Sequence, residues 1–500
     1  MYLTKSANPH LALKGRLLFQ SPIKFSHVWI PLTFLIACLY QNQAVALLSL
    51  PEVALGFAIA LLSCLPLFVW ASRNVREIPA FQCFCLIHFP YYAYPILSGK
   101  PQYLKYPEID RLTAAAIVAV FLAIANAIYY LGLRKDRSSS PSSVLANREL
   151  SEERVRVLCT LLLSLWVSFN IVIHFGLLPF HSGLNILYTL ATGSGFVGLW
   201  SLARQLGEKR LSTAHAIYIV SAVVFGVLVN MATGSLIGGL MMLVVGFVAY
   251  TIGLGRIPWV LIAISLGFIA FLNLGKGEMR SAFWRRGAPP VLTVPKIYEI
   301  YAYWIPQSWH RLWDTERRSA EQNSLLDRAN LIHMLVLVTN RTPEPLPYLW
   351  GETYAYVPQL LVPRVIWKDK PAGNIATTKL GYYYGIVERH GERRTTIAFG
   401  LLPEAWANFG WFGIIGLAIV QAIAMCAVAN ACLGATPYSI HSILGIVWIA
   451  LAFQIELCFS QWFTVLLQFV SMMFMIMYPF TRPMVRTITT AGETPSYSSW

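Results

Sequence analysis

Residues 216–232, AIYIVSAVVFGVLVNMA, and 236–252, LIGGLMMLVVGFVAYTI, follow one another with no Asp, Glu, Lys or Arg in either stretch or between them. Each is close to the ~20 apolar residues that an α-helix needs to cross the hydrocarbon of a bilayer. One buried core would not require such runs in succession. The whole chain repeats the pattern: 56% of its 500 residues are hydrophobic and 12% are charged, against about 25% charged in ordinary soluble proteins. A soluble domain of this length could not hide that much apolar surface. The reading is an all-α polytopic membrane bundle.

Working outward, apolar runs centre near residues 34, 62, 88, 122, 167, 194, 222, 244 and 266, and resume near 420, 449 and 471. This predicts about 12 transmembrane helices, nine within 1–274 and three within 406–482, separated by a polar segment over 275–405 and followed by a short tail, 483–500. Lys and Arg favour cytoplasmic loops. With the N-terminus inside, the inner loops hold Arg73, Arg76, Arg134, Lys135, Arg137, Arg148, Arg154, Arg156, Arg204, Lys209, Arg210 and Arg256. The short outer loops hold only Lys100, Lys105 and Arg111. Both termini are therefore expected in the cytoplasm and the 275–405 segment outside. No cleavable signal peptide is expected, so the first run serves as an anchor.

A net charge of +15 would raise nucleic-acid binding in a soluble protein. Here the charges lie between apolar spans, where they orient the chain and meet anionic head groups. The eight cysteines fall in or at the edge of apolar runs, so Cys83 and Cys85 read as core and no disulfide is expected in the long segment. Arg137 to Glu153 is Ser-rich with mixed charge and reads as a flexible linker. No internal repeat of the kind common in transporters is evident.

The chemistry concentrates in the long segment. It carries Arg280, Arg285, Arg286, Arg311, Arg317, Arg318, Arg328, Arg341, Arg364, Arg389, Arg393 and Arg394. The planar guanidinium binds two phosphate oxygens at once, although any one of these could equally pair with a Glu or sit in water. Residues 323–339 are expected to form a helix with a polar stripe of Asp327, Asn330 and His333. Gly351-Glu352-Thr353-Tyr354, Pro363-Arg364, Trp367-Lys368-Asp369-Lys370-Pro371 and Tyr382-Tyr383-Tyr384 make a cationic and aromatic cluster suited to sugar rings and phosphate, or to a membrane rim. Glu404 and Asn408 are spaced to share a helix face at the mouth of the next span, where Glu404 could be a general base or a salt-bridge partner. There is no Walker loop, His-Glu-x-x-His, Asp-x-Asp or nucleophile elbow, and carboxylates for a Mg2+ cage are scarce.

The order Gly-Glu-x-Tyr (351–354), Pro-Arg-x-x-Trp-x-x-Lys-Pro (363–371) and Thr-x-x-x-Gly-x-x-x-Glu-x-x-x-Asn-Phe-Gly (396–410) resembles the bacterial Wzy-type oligosaccharide repeat-unit polymerases, as does the late, large external segment. The chain departs from that pattern at Thr233-Gly234-Ser235, which is followed by Leu236 rather than a basic residue. The resemblance implies glycosyl transfer without metal or other cofactor, from a polyprenyl-diphosphate-linked oligosaccharide to a sugar hydroxyl. It implies Glu404, Arg364, Arg280 and Arg328 in catalysis, and Arg341, Lys370, Glu352, Tyr354, Trp367, Tyr383 and Asn408 in substrate binding. Implied partners are membrane lipids and the chain-length regulator and flippase of the same pathway, with no nucleic acid. The alternatives are ligase-like transfer to another acceptor, a flippase or exporter of the same lipid-linked glycan, and a non-catalytic assembly scaffold.

Overall fold

The computed structural model describes residues 47–72, 78–133, 148–149, 151–178, 185–234, 236–284, 289–313, 330–362, 366–387, 398–433 and 439–483. The helices are α1 (Leu50–Ser72), α2 (Ala80–His88), α3 (Tyr94–Leu97), α4 (Pro101–Leu104), α5 (Glu108–Gly132), α6 (Glu152–His174), α7 (Asn185–Gly207), α8 (Thr213–Ala232) and α9 (Leu236–Leu254). There follow α10 (Trp259–Leu274), α11 (Lys276–Phe283), α12 (Val294–Trp313), α13 (Leu331–Arg341), α14 (Tyr356–Leu361), α15 (Ile375–Tyr383), α16 (Leu401–Cys432), α17 (Ile440–Ala452) and α18 (Phe459–Met477).

Among the described residues six helices are long and apolar enough to cross a membrane: α1, α5, α6, α8, α16 and α18. The α10–α11 pair, bent by 56°, raises this to seven if it counts as one span. The protein is thus built as a helical membrane protein. Every expected centre except the one near 34, which lies outside the described residues, carries a helix. The run near 88 is not a straight rod. Pro90 and Pro95 each remove a backbone donor, and a π-turn over Phe89–Ala93 joins α2 to α3. Cys83 and Cys85 are buried on α2.

Side-chain caps set several helix starts, as expected for Ser and Asn before an apolar run. Ser151 accepts from Arg154 N, Ser212 from His215 N and Ser439 from Ser442 N. The starts of α1 and α5 are joined by an ion pair. Arg111 Nε lies 2.7 Å from Glu52 Oε1 and its Nη2 lies 3.2 Å from Oε2, with Glu52 fully buried. α7 packs against α6, α9 and α18. It is rich in small residues, which let helix backbones approach closely. At Gly198 an added Cβ would stand 2.7 Å from the Cys159 carbonyl. Two short strands, β1 (Arg148–Glu149) and β2 (Arg482–Pro483), pair antiparallel. The segment entering α6 and the chain leaving α18 therefore share one end of the bundle.

The expected helix over 323–339 is described only from Asn330 onward, where it is α13. Residues 314–329, with Asp327 and Arg328, lie outside the described residues. α13 starts at Leu331, because Asn330 adopts a non-helical backbone (φ −126°) and its side chain accepts from His333 N. Asn330 is thus a cap and not part of a helical stripe. α13 runs on to Arg341, packed against α5 and α16 with Leu331, Ile332 and 334–338 buried.

Candidate functional site

The site is organised by a break in α16. Gly410 has φ 55° and ψ −135°, a conformation that side chains with a Cβ avoid. In an unbroken helix the carbonyls of Ala407 and Asn408 would accept from residues 411 and 412. Here they accept from Leu349 N (2.9 Å) and Trp350 N (3.2 Å) of another segment. The break thereby stitches the 346–355 segment onto the first turns of α16.

Asn408 completes the join from its side chain. Its Oδ1 accepts from Gly351 N (3.0 Å), and its Nδ2 donates to Thr353 Oγ1 (2.8 Å) and to the Glu404 carbonyl (2.8 Å). One turn earlier, Glu404 is fully buried. Its Oε2 accepts from Phe459 N at 2.5 Å, so the carboxyl caps the first residue of α18, where the helix dipole favours negative charge. Its Oε1 is buried without a hydrogen bond to any described residue, with the Thr353 hydroxyl beside the carboxyl. Thr377 on α15 donates to Cys458 Sγ, the residue just before α18 (3.3 Å). The result is a buried polar knot drawn from four segments of the chain.

Tyr354 walls this knot, its ring 5.3 Å from that of Phe459 and 5.9 Å from that of Phe409. Burial, then the Glu404 carboxyl, pushes its phenol well above the usual range, so it stays a neutral hydroxyl. At the rim Glu352 forms an ion pair with Lys379. Tyr383 donates to the Pro347 carbonyl, Tyr384 and Thr342 share a hydroxyl hydrogen bond of 2.6 Å, and Trp406 Nε1 donates to the Thr342 carbonyl.

Of the residues expected from the sequence, the structure brings Glu404, Asn408, Tyr354 and Glu352 together, with Tyr383 hydrogen-bonded to the same 346–355 segment. Arg341 donates to the Tyr384 carbonyl at 2.5 Å, beside this group. Lys370 donates to the Leu360 and Val362 carbonyls at 3.0 and 2.8 Å, at the end of α14, where a lysine can cap a helix. Trp367 is 39% exposed. Arg280 stands elsewhere: its Nη2 donates to the Gly234 carbonyl (2.8 Å) and its guanidinium lies 4.3 Å from the Trp284 ring centre. A guanidinium thus reaches the Gly-Ser turn from residue 280, although Leu236 supplies no cation there. Arg311 pairs with Glu278. Arg364 and Arg328 lie outside the described residues.

Thr353, Thr377, Cys458, Lys379 and the Phe459 N–H were not legible as site groups, because their partners lie tens of residues away and no local spacing marks them. Among the described residues no three His, Cys, Asp or Glu side chains group as metal ligands would. The arrangement offers one carboxyl oxygen able to take a proton from a hydroxyl group, an aromatic wall for a ring face and an ion pair at the rim. Compared with models of protein families, with curated proteins and with solved structures, the chain matches none.

Proposed function

We propose that this chain is a bacterial membrane glycosyltransferase that polymerises lipid-linked oligosaccharide units, with about a dozen spans, both termini in the cytoplasm and residues 275–405 on the outer face of the cytoplasmic membrane. The observation that carries the reading is Glu404: a buried carboxyl anchored through one oxygen on the start of α18, while the other has no hydrogen bond to it and lies beside Thr353 and near Tyr354. A carboxyl held this way can receive the proton of an acceptor sugar hydroxyl. As that oxygen bonds to the anomeric carbon of the donor glycan, the bond from that carbon to the diphosphate breaks. The electron pair leaves with the polyprenyl diphosphate, whose charge the segment's arginines, Arg341 and Arg364 among them, would stabilise. Asn408 holds Thr353 beside the carboxyl, and Tyr354, Trp367 and Tyr383 line the sugar path.

The test is purified protein in lipid bilayers with a polyprenyl-diphosphate-linked oligosaccharide. A ladder of longer glycans with released polyprenyl diphosphate is expected, and Glu404→Gln abolishes it. Transfer to a different acceptor without a ladder would replace polymerisation by ligation. Translocation with neither product would overturn the enzymatic reading in favour of a flippase.

A further inference from the structure

α12 is the least explained long element. It has 20 residues, about 30 Å of helix, yet it carries Lys296, Glu299, His310 and Arg311 and is not among the helices apolar enough to span. Its contacts show how it lies. Just before it, Leu292 N donates to the carbonyl of His174, the last residue of α6 (2.7 Å). Tyr301 donates to the Leu228 carbonyl near the end of α8 (2.8 Å), and Trp304 Nε1 to the Leu272 carbonyl near the end of α10 (2.7 Å). Ser308 packs on Gly275, just past α10. A helix running alongside a neighbour would meet it at successive depths. α12 instead meets the C-terminal ends of three alternate helices one after another, so it crosses the bundle at the level where they stop.

Its surface divides into three sectors when projected at about 3.6 residues per turn. Ile300, Trp304 and Ser308 are buried against the bundle. Lys296, Glu299 and His310 form a polar sector. Val294, Tyr298, Ile305, Trp309 and Trp313 fill a third sector, about 100° wide, and all are exposed, Tyr298 at 77% and Trp313 at 68%. α10, which α12 contacts through its buried sector, exposes Val260, Ile264 and Phe268 as well. Tyr and Trp at such a boundary place the ring in hydrocarbon and the polar tip among head groups. We infer that α12 lies in the plane of the membrane, with its Val294–Trp313 aromatic sector seated in the boundary between head groups and acyl chains and its Lys296–His310 sector in water. The partner is the lipid surface itself, and the inference holds independently of the enzymatic reading.

The test places a photo-crosslinking residue in the full chain, reconstituted in nanodiscs of phosphatidylethanolamine and phosphatidylglycerol. Tyr298→p-benzoylphenylalanine and Trp309→p-benzoylphenylalanine probe the aromatic sector, and the same change at Glu299 and His310 probes the polar one. After irradiation, intact mass is expected to show lipid adducts at 298 and 309 in several-fold greater yield than at 299 and 310. Equal yields at all four positions, or covalent dimers at 298 and 309 in place of lipid adducts, overturn the placement. Trp313 substitutes for either aromatic position whose variant fails to elute as folded protein.

Discussion

Replacing Asn408 by Ala would remove three hydrogen bonds at once and deprive the partly buried Gly351 N–H and the buried Thr353 hydroxyl of this partner. A net hydrogen bond in a folded protein contributes about 1 kcal/mol, and side-chain bonds inside membrane proteins average nearer 0.6 kcal/mol. Three bonds then amount to about 2–3 kcal/mol, or roughly a hundredfold in the folding equilibrium at the upper end. The backbone joins from Leu349 and Trp350 to α16 survive the change, so the loss should be partial and local. SDS-titrated unfolding in mixed micelles would read the free energy, and limited proteolysis would read opening of the 346–355 segment. Asn408→Asp keeps the acceptor for Gly351 N but loses both donors, and should fall between wild type and Asn408→Ala. A change under about 0.5 kcal/mol for Asn408→Ala, with no new cleavage, would mean that Asn408 does not hold this segment on α16.

Glu404→Gln retains an oxygen for Phe459 N and should unfold at nearly the wild-type concentration of SDS, whereas Glu404→Ala orphans that N–H and should cost about 1–3 kcal/mol; identical stabilities for the two variants would refute the capping role. Arg111→Ala strands the buried Glu52 charge and should cost about 3–5 kcal/mol, and the double change Glu52→Leu with Arg111→Met should recover most of it; failure of the double variant to recover would show that the pair orients α1 on α5 beyond compensating charge. His333 lies beside Tyr106 and Lys105. Burial first, then the Lys105 charge, pulls its pKa from 6.5 down to about 4. The folded protein then keeps this imidazole neutral where the unfolded chain would protonate it, so stability falls as pH drops from 6.5 towards 4. His333→Gln should flatten that slope in thermal unfolding measured at each pH, and an unchanged slope would rule out His333 as its source.

Much of the bundle was legible because a bilayer leaves so few options: apolar runs of span length must become helices, and α1, α5, α6, α8, α16 and α18 stand where those runs lie. The winding of the run near 88 was harder to read, since its hydropathy does not show the π-turn over Phe89–Ala93 between two α-helical segments. In the site, Glu404 and Asn408 could be seen as one face from their four-residue spacing alone. Their partners could not, because Gly351, Thr353 and Phe459 arrive through tertiary folding. Residue type alone also did not reveal that Lys370 and Arg341 donate to backbone carbonyls of their own segment. The left-handed backbone at Gly410 left no mark beyond the glycine itself.

That glycine also divides the helix that carries the site. The 22 residues after it in α16, 411–432, make about 33 Å of helix, close to the thickness of bilayer hydrocarbon. The nine before it form a separate arm that is bonded to the 346–355 segment and to α18. The membrane-length rod and the arm that carries Glu404 therefore meet at Gly410, with every hydrogen bond that anchors the carboxyl and Asn408 on the arm's side of the junction.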